Sequence, residues 1–139
     1  MIKDDCIFCK LANGVFHTNK IYEDDDFTVI LDAAPASRGH ALILPKQHCD
    51  NLYVLPDEIG AKVMPVAKKV ASAMKKALSC DGVNVVQNNE PAAGQTVFHF
   101  HVHVIPRMEK DHMGLVWKPG KPTDAEQAET CRILSDAMK

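Results

Sequence analysis

The sequence lacks a large excess of either charge. Its 16 Lys and Arg against 18 Asp and Glu leave a formal net charge of -2, too near neutral for the basic surface that nucleic acid or a membrane selects, so neither partner is expected. It also has no long apolar run. The polar start Ile2-Lys3-Asp4-Asp5-Cys6 offers no signal peptide or spanning helix, and a cytoplasmic location is expected. An odd count of five cysteines, with no export signal, argues against a disulfide framework and for reduced thiols. No repeat, low-complexity tract or linker interrupts the chain, so one domain over 1–139 is expected, with a core of about residues 6–107 and a C-terminal extension over 108–139. With 46% apolar residues, a chain of this length can bury a core without disulfide help.

What is present reads as alternating short strands and helices. Cys6 to Ala12 is predicted as a short helix closed by Asn13-Gly14. Lys20–Glu23, Phe27–Leu31 and His40–Leu44 are short, rich in β-branched or aromatic residues, and separated by Asp24-Asp25-Asp26 and by a loop with Pro35 and Gly39, which predicts antiparallel strands. From Asp57 to Leu78, Ile59, Val63, Val66, Val70, Ala73, Met74 and Ala77 recur at helical spacing opposite Lys62, Lys69 and Lys76. That is one long helix, with Pro65 a candidate bend. Val83–Val86 and Phe98–Ile105 give two more strands. Thr123 to Met138 gives a terminal helix capped by Thr123 or Asp124. The fold class is α+β.

The most informative segment is His99-Phe100-His101-Val102-His103-Val104. Successive strand side chains point to opposite faces, so three imidazoles share one face while Phe100, Val102 and Val104 take the other and pin the register. The three span roughly 13 Å, enough to line a site floor and too far for all to bind one metal from a straight strand. An unperturbed imidazole pKa of about 6.5 leaves a good fraction neutral and nucleophilic near neutral pH. Such a ring can attack phosphorus, forming a labile phosphohistidine that water resolves, while a second ring binds the charge growing on the phosphoryl oxygens. A competing reading is an H-x-H zinc site. Ahead of the strand, Ala93-Gly94-Gln95-Thr96 has the composition of an anion cradle, from backbone N–H groups plus the Gln and Thr side chains. The Cys6/Cys9 pair is a C-x-x-C; a thioredoxin-like redox pair would need a βαβ context that this N-terminus lacks.

The segment His99-Phe100-His101-Val102-His103-Val104-Ile105 matches the His-φ-His-φ-His-φ-φ signature of the histidine triad family, with φ apolar, and so resembles it. The likeness extends to Gly94-Gln95-Thr96, Asn88, the Asp32–His40 loop and Pro45-Lys46-Gln47-His48, and is weak only beyond Arg107. It implies a five-stranded antiparallel sheet with one long helix and short terminal helices, and a homodimer whose sheets join. It implies that His101 is the nucleophile, that His103 contacts the phosphate, that His99 completes the triad, and that His40 is a fourth active-site histidine. Asp32 falls at the ribose and Ala33 at the base; Asn88, Gly94, Gln95 and Thr96 fall at the phosphate and leaving group. Cys6, Cys9, His48 and His99 fall on a structural zinc site, with no organic cofactor expected. The implied activity is hydrolysis at the α-phosphorus of a purine nucleotide, a nucleoside phosphoramidate or an aminoacyl adenylate, releasing a monophosphate such as AMP or GMP, as in the nucleoside phosphoramidase branch; Trp117-Lys118-Pro119-Gly120 is similar to the tail of that branch. Gly94-Gln95-Thr96 and Ile105-Pro106-Arg107 instead resemble the dinucleoside polyphosphate hydrolases. A non-catalytic nucleotide-binding regulator is the third reading. His17 and His112 match nothing and read as surface residues.

Overall fold

The computed structural model describes residues 2–139, so Met1 lies outside the described residues. Five strands form one antiparallel sheet: β1 (Lys20–Glu23), β2 (Phe27–Leu31), β3 (Ala41–Pro45), β4 (Gly82–Val86) and β5 (Val102–Arg107), in spatial order β1-β2-β3-β5-β4. This is the expected α+β architecture. The long helix α2 (Asp57–Leu78) covers one face and the short helix α1 (Ile7–Ala12) the other. A third helix, α3 (Asp124–Ala137), follows a long irregular segment. No described helix is long and apolar enough to cross a membrane.

The two layers follow from strand alternation. Phe27, Val29, Ala41, Ile43, Phe100, Val102 and Val104 point to α2 and meet its buried stripe of Ile59, Val63, Val66, Ala67, Val70 and Met74. The alternate residues Ile30, Leu42 and Leu44 point to α1 and pack with Phe8, Leu11 and Ala12. Each buried side chain of this size contributes about 1.5–3 kcal/mol, so the α2 face carries most of the fold and the smaller α1 face is where a cavity can open. Pro65 lies within α2, which continues through it to Leu78. The left-handed turn after α1 falls on Gly14, at φ +76°, and Asn13 keeps φ -107°.

One boundary differs in a way that matters for the site. The sequence predicts a strand from Phe98, whereas β5 starts at Val102. Extending the ladder toward the N-terminus would pair residues 98–101 with the end of β3, which stops at Pro45. Proline has no N–H to donate, and the Pro45 carbonyl is taken by a side chain, His99 Nε2, at 2.8 Å. The Phe100 N–H instead donates to the Cys49 carbonyl at 2.7 Å.

Candidate active site and metal centre

On the α1 side of the sheet a cavity of about 390 Å³ opens between α1, β2, β3 and the segment leading into β5. Phe8, Leu11, Ile30 and Leu42 make one end apolar, Asp32 and Ala33 lie along it, and Thr96, Val97, His101 and His103 line the rest. His17 and Thr18 line it as well. From the sequence His17 is expected on the surface, and Thr18 belongs to no motif. His17 is indeed exposed, but it stands at the cavity wall; an isolated polar pair ahead of a strand carries no signal that would have found it.

Hydrogen bonds fix which ring nitrogen of each histidine is free. His101 Nδ1 donates to the His99 carbonyl at 2.7 Å, which leaves Nε2 with a lone pair. The Ala36 N–H donates to His40 Nδ1 at 2.9 Å, so the His40 proton sits on Nε2. From there it donates to His103 Nδ1 at 2.8 Å, and the His103 proton is fixed on its own Nε2. Asp32 Oδ2 stands 3.5 Å from His40 Nε2, and Asp32 Oδ1 accepts the Ala34 N–H at 2.9 Å. Burial pushes all three rings toward neutrality. It lowers His40 against the opposing pull of Asp32, lowers His101, and takes His103 to about 4 with help from its His101 and His40 neighbours. Asp32, His40 and His103 are close enough for a shared ion, but both His40 nitrogens are committed to hydrogen bonds that orient His103.

Beside the cavity, Cys6, Cys9, His48 and His99 converge with one ligand atom each inside 4.8 Å. His99 Nδ1 is 3.5 Å from both Cys6 Sγ and Cys9 Sγ, and His48 Nδ1 is 3.4 Å from Cys9 Sγ. A tetrahedral ion with metal–sulfur bonds near 2.3 Å and metal–nitrogen bonds near 2.05 Å sets a sulfur–nitrogen edge of about 3.5 Å. The tautomers agree as well. His99 Nε2 donates to the Pro45 carbonyl and His48 Nε2 donates to Asp50 Oδ1 at 2.8 Å, so both rings turn an unprotonated Nδ1 to the thiols, as metal ligands require. Cys9 Sγ also accepts the Lys3 N–H at 3.3 Å, and Cys6 Sγ the Cys9 N–H at 3.4 Å. The donor set therefore fits a four-coordinate divalent ion with no open position.

The loop before the histidines is less open than its composition suggests. Gln95 is buried, its Oε1 accepts the Glu90 N–H at 2.8 Å, and its Nε2 donates to the carbonyls of Asp50 at 2.7 Å and Val97 at 3.1 Å. The Gly94 and Gln95 amides donate back to the Pro91 and Glu90 carbonyls. Gln95 and Gly94 thus hold the loop together, Asn88 lies alongside Gly94, and Thr96 is the member of the group that reaches the cavity. Glu90 sits at φ +73°, ψ 156°, a region that costs a side chain of order 1–3 kcal/mol.

Comparison with known proteins gives a consistent result. The HIT domain family matches residues 13–110. Adenosine 5'-monophosphoramidase hnt1 of Schizosaccharomyces pombe is 39% identical over 123 residues, covering 88% of this chain and 89% of that one. A crystal structure from Streptococcus mutans superposes with a TM-score of 0.94 at 34% identity, covering 99% of this chain and 87% of the other. A zinc-bound histidine triad protein from Mycobacterium smegmatis superposes with a TM-score of 0.76 at 34% identity, covering 97% and 98% of the two chains.

Proposed function

The chain belongs to the HIT domain family, and on that premise we propose that it is a purine nucleotide hydrolase that cleaves at the α-phosphorus through a covalent intermediate on His101. The observation that carries this reading is the 2.7 Å bond from His101 Nδ1 to the His99 carbonyl, which presents Nε2 as a neutral nucleophile on the cavity wall. Phe8, Leu11, Ile30 and Leu42 receive the base, with Ala33 beside it, and Asp32 accepts from the ribose hydroxyls. Thr96 and the N–H of His103 Nε2 bind the phosphoryl oxygens.

The His101 Nε2 lone pair forms a bond to phosphorus, and the bond from phosphorus to the leaving nitrogen or oxygen breaks with its electron pair. The leaving group takes up a proton from water, while the bond from His40 Nε2 keeps the His103 Nε2–H aimed at the phosphoryl oxygens. Water then attacks the phosphohistidine. The bond to Nε2 breaks, the electron pair returns to the ring, and a nucleoside monophosphate departs. Cys6, Cys9, His48 and His99 hold a structural zinc, whose chemistry is to fix α1 against the triad segment. The protein works as a homodimer.

The relative named as a monophosphoramidase supports an amine leaving group. Arg107, counted toward the dinucleoside polyphosphate branch, spends its guanidinium on Asp111 and Asn84. Turnover of adenosine 5'-phosphoramidate beside a diadenosine polyphosphate tests the assignment: faster release of AMP from the phosphoramidate is expected, preference for the polyphosphate makes it the other hydrolase, and binding of both without turnover makes it a regulator. His101→Asn should lower single-turnover cleavage by at least roughly 10³-fold while AMP still binds; retained cleavage overturns the mechanism.

A further inference from the structure

A second cavity, of about 370 Å³, lies on the same side of the sheet as the nucleotide site and has no part in the function proposed above. Ala12, Phe16, Lys20, Glu23 and Thr28 surround it. Leu11, His17 and Thr18 line both cavities and form the wall between them. Strand geometry sets the two cavities in one line, because alternate residues of a strand share a face and rise about 7 Å per pair. On β2 the residues turned toward α1 are Thr28, whose hydroxyl donates to the Ala12 carbonyl at 2.7 Å, and Ile30, which packs with Phe8 and Leu11. Asp32 comes next, its N–H held by the His40 carbonyl at 2.9 Å. Asp32 and Ile30 line the nucleotide cavity, and Thr28 lines the second one.

A nucleotide with its ribose at Asp32 and its base at Ile30 therefore aims the far edge of the base at the Thr28 cavity, about 7 Å beyond. In a purine the edge opposite the glycosidic bond is the six-membered ring, with its exocyclic group at C6. The lining of the second cavity suits an apolar group there. Ala12 and Thr28 are buried and make the floor, and Leu11 and the Phe16 ring flank it. Lys10 Nζ stands 5.3 Å from the centre of the Phe16 ring, on the aromatic face of that wall. A Cβ placed on Gly14 would meet nothing within 4 Å, so the mouth is open on that side. Glu23, across from Thr28 on β1, pairs with Lys20 and with Lys46 Nζ at 2.8 Å. These charges answer one another, and an added phosphate finds no free cation among them. The second half of a dinucleotide has no claim on this cavity either, since it departs from the opposite end, beside Thr96 and His103.

We propose that this cavity is a second chamber of the nucleotide site, and that the chain accepts purine nucleotides whose exocyclic amine at C6 carries an apolar alkyl or aryl group. The inference rests on the nucleotide reading above and names the class of base that site takes. The substituent passes between Leu11, His17 and Thr18 and lies against Phe16 and the Thr28 methyl, where the apolar area it removes from water adds to affinity. The reacting phosphorus is untouched by the exchange, because it stands at the other end of the row.

Calorimetric titration of the full-length protein compares three ligands: AMP, AMP benzylated on the amine at C6, and AMP carrying a benzylamino group at C8, on the five-membered ring. The C6 compound should bind about tenfold more tightly than AMP, the scale of one apolar ring leaving water, and the C8 compound should show no gain. Phe16→Ala should remove most of the gain of the C6 compound and leave AMP binding as it was; Phe16 is exposed, so the fold does not depend on it. A C6 compound that binds no more tightly than AMP, a C8 compound that gains as much, or a gain that Phe16→Ala leaves intact would each overturn the proposal. The AMP titration keeps the two readings apart. Binding of AMP with no gain from the benzyl group removes the chamber and leaves the nucleotide site, whereas binding of none of the three removes both.

Discussion

Phe8 meets His101 edge-on, ring centroids 4.9 Å apart and planes at 87°. Phe8 stands between Cys6 and Cys9 on the first turn of α1, so the ring that braces the proposed nucleophile is carried by the turn that supplies two thiols of the candidate metal centre. An aromatic contact of this kind is worth about 0.5–1.5 kcal/mol beyond burial and fixes ring orientation. Phe8→Ala should lower the single-turnover rate at saturating nucleotide by about tenfold, with zinc stoichiometry unchanged. An unaltered rate would show that the His99 carbonyl alone orients His101.

Asp50 offers a way to weaken the metal centre without removing a ligand. Its carboxylate accepts from His48 Nε2 at 2.8 Å and holds the ring with Nδ1 toward the thiols. Asp50→Ala should weaken zinc by roughly 10–100-fold in a chelator competition, and thermal stability should drop further when chelator is present. Purified protein containing about one zinc per chain is the starting expectation.

Asp32 has two duties in the structure, since it also accepts the Ala34 N–H and stands near His40. Asp32→Ala should weaken ribonucleotide binding by at least about tenfold, as loss of charge-assisted bonds of about 1.5–3 kcal/mol implies. Binding of a 2',3'-dideoxynucleotide should change far less. Calorimetric titration of both ligands reads the difference, and equal losses would reduce Asp32 to a support of its loop.

The buried rings set the direction of the pH response. Burial lowers His40 and His101 and takes His103 to about 4, whereas the unfolded chain titrates near 6.5. Between those values the unfolded state binds more protons, so stability rises with pH. This contribution is complete above about pH 6.5 and is lost as pH falls through the folded values. The urea midpoint should therefore decline between pH 7 and 5.5, above the range where carboxylates titrate, and the acid limb of turnover should lie below 6.5 because the His101 ring stays neutral.

The parts legible in the sequence are those that repeat at a fixed period. The alternation of His99, His101 and His103 with Phe100, Val102 and Val104 placed the imidazoles on one side of the sheet because the other side has to meet α2. The α2 stripe and the Thr123 cap of α3 were readable for the same kind of reason. Contacts between distant segments were not: His48 reaches the C-x-x-C only through the fold, and its place was implied by family resemblance. The start of β5 was misjudged because the absence of a partner N–H belongs to Pro45, on another strand. The anion cradle looked open in composition, yet Gln95 is spent on Glu90, Asp50 and Val97. Phe8 gave no hint, since an apolar residue in an amphipathic turn reads as packing.

His99 faces the Cys6 and Cys9 thiols and His101, two residues on, faces the cavity, both along one stretch of backbone that Phe100 and Val102 anchor to the other side. A substitution here removes one function and leaves its neighbour in place. A change in length within β5 does not, because inserting a single residue between Val102 and His103 would turn that imidazole toward the α2 layer and bring an apolar side chain out in its place. A library built to alter the site can vary which residues stand on β5 but must keep their number.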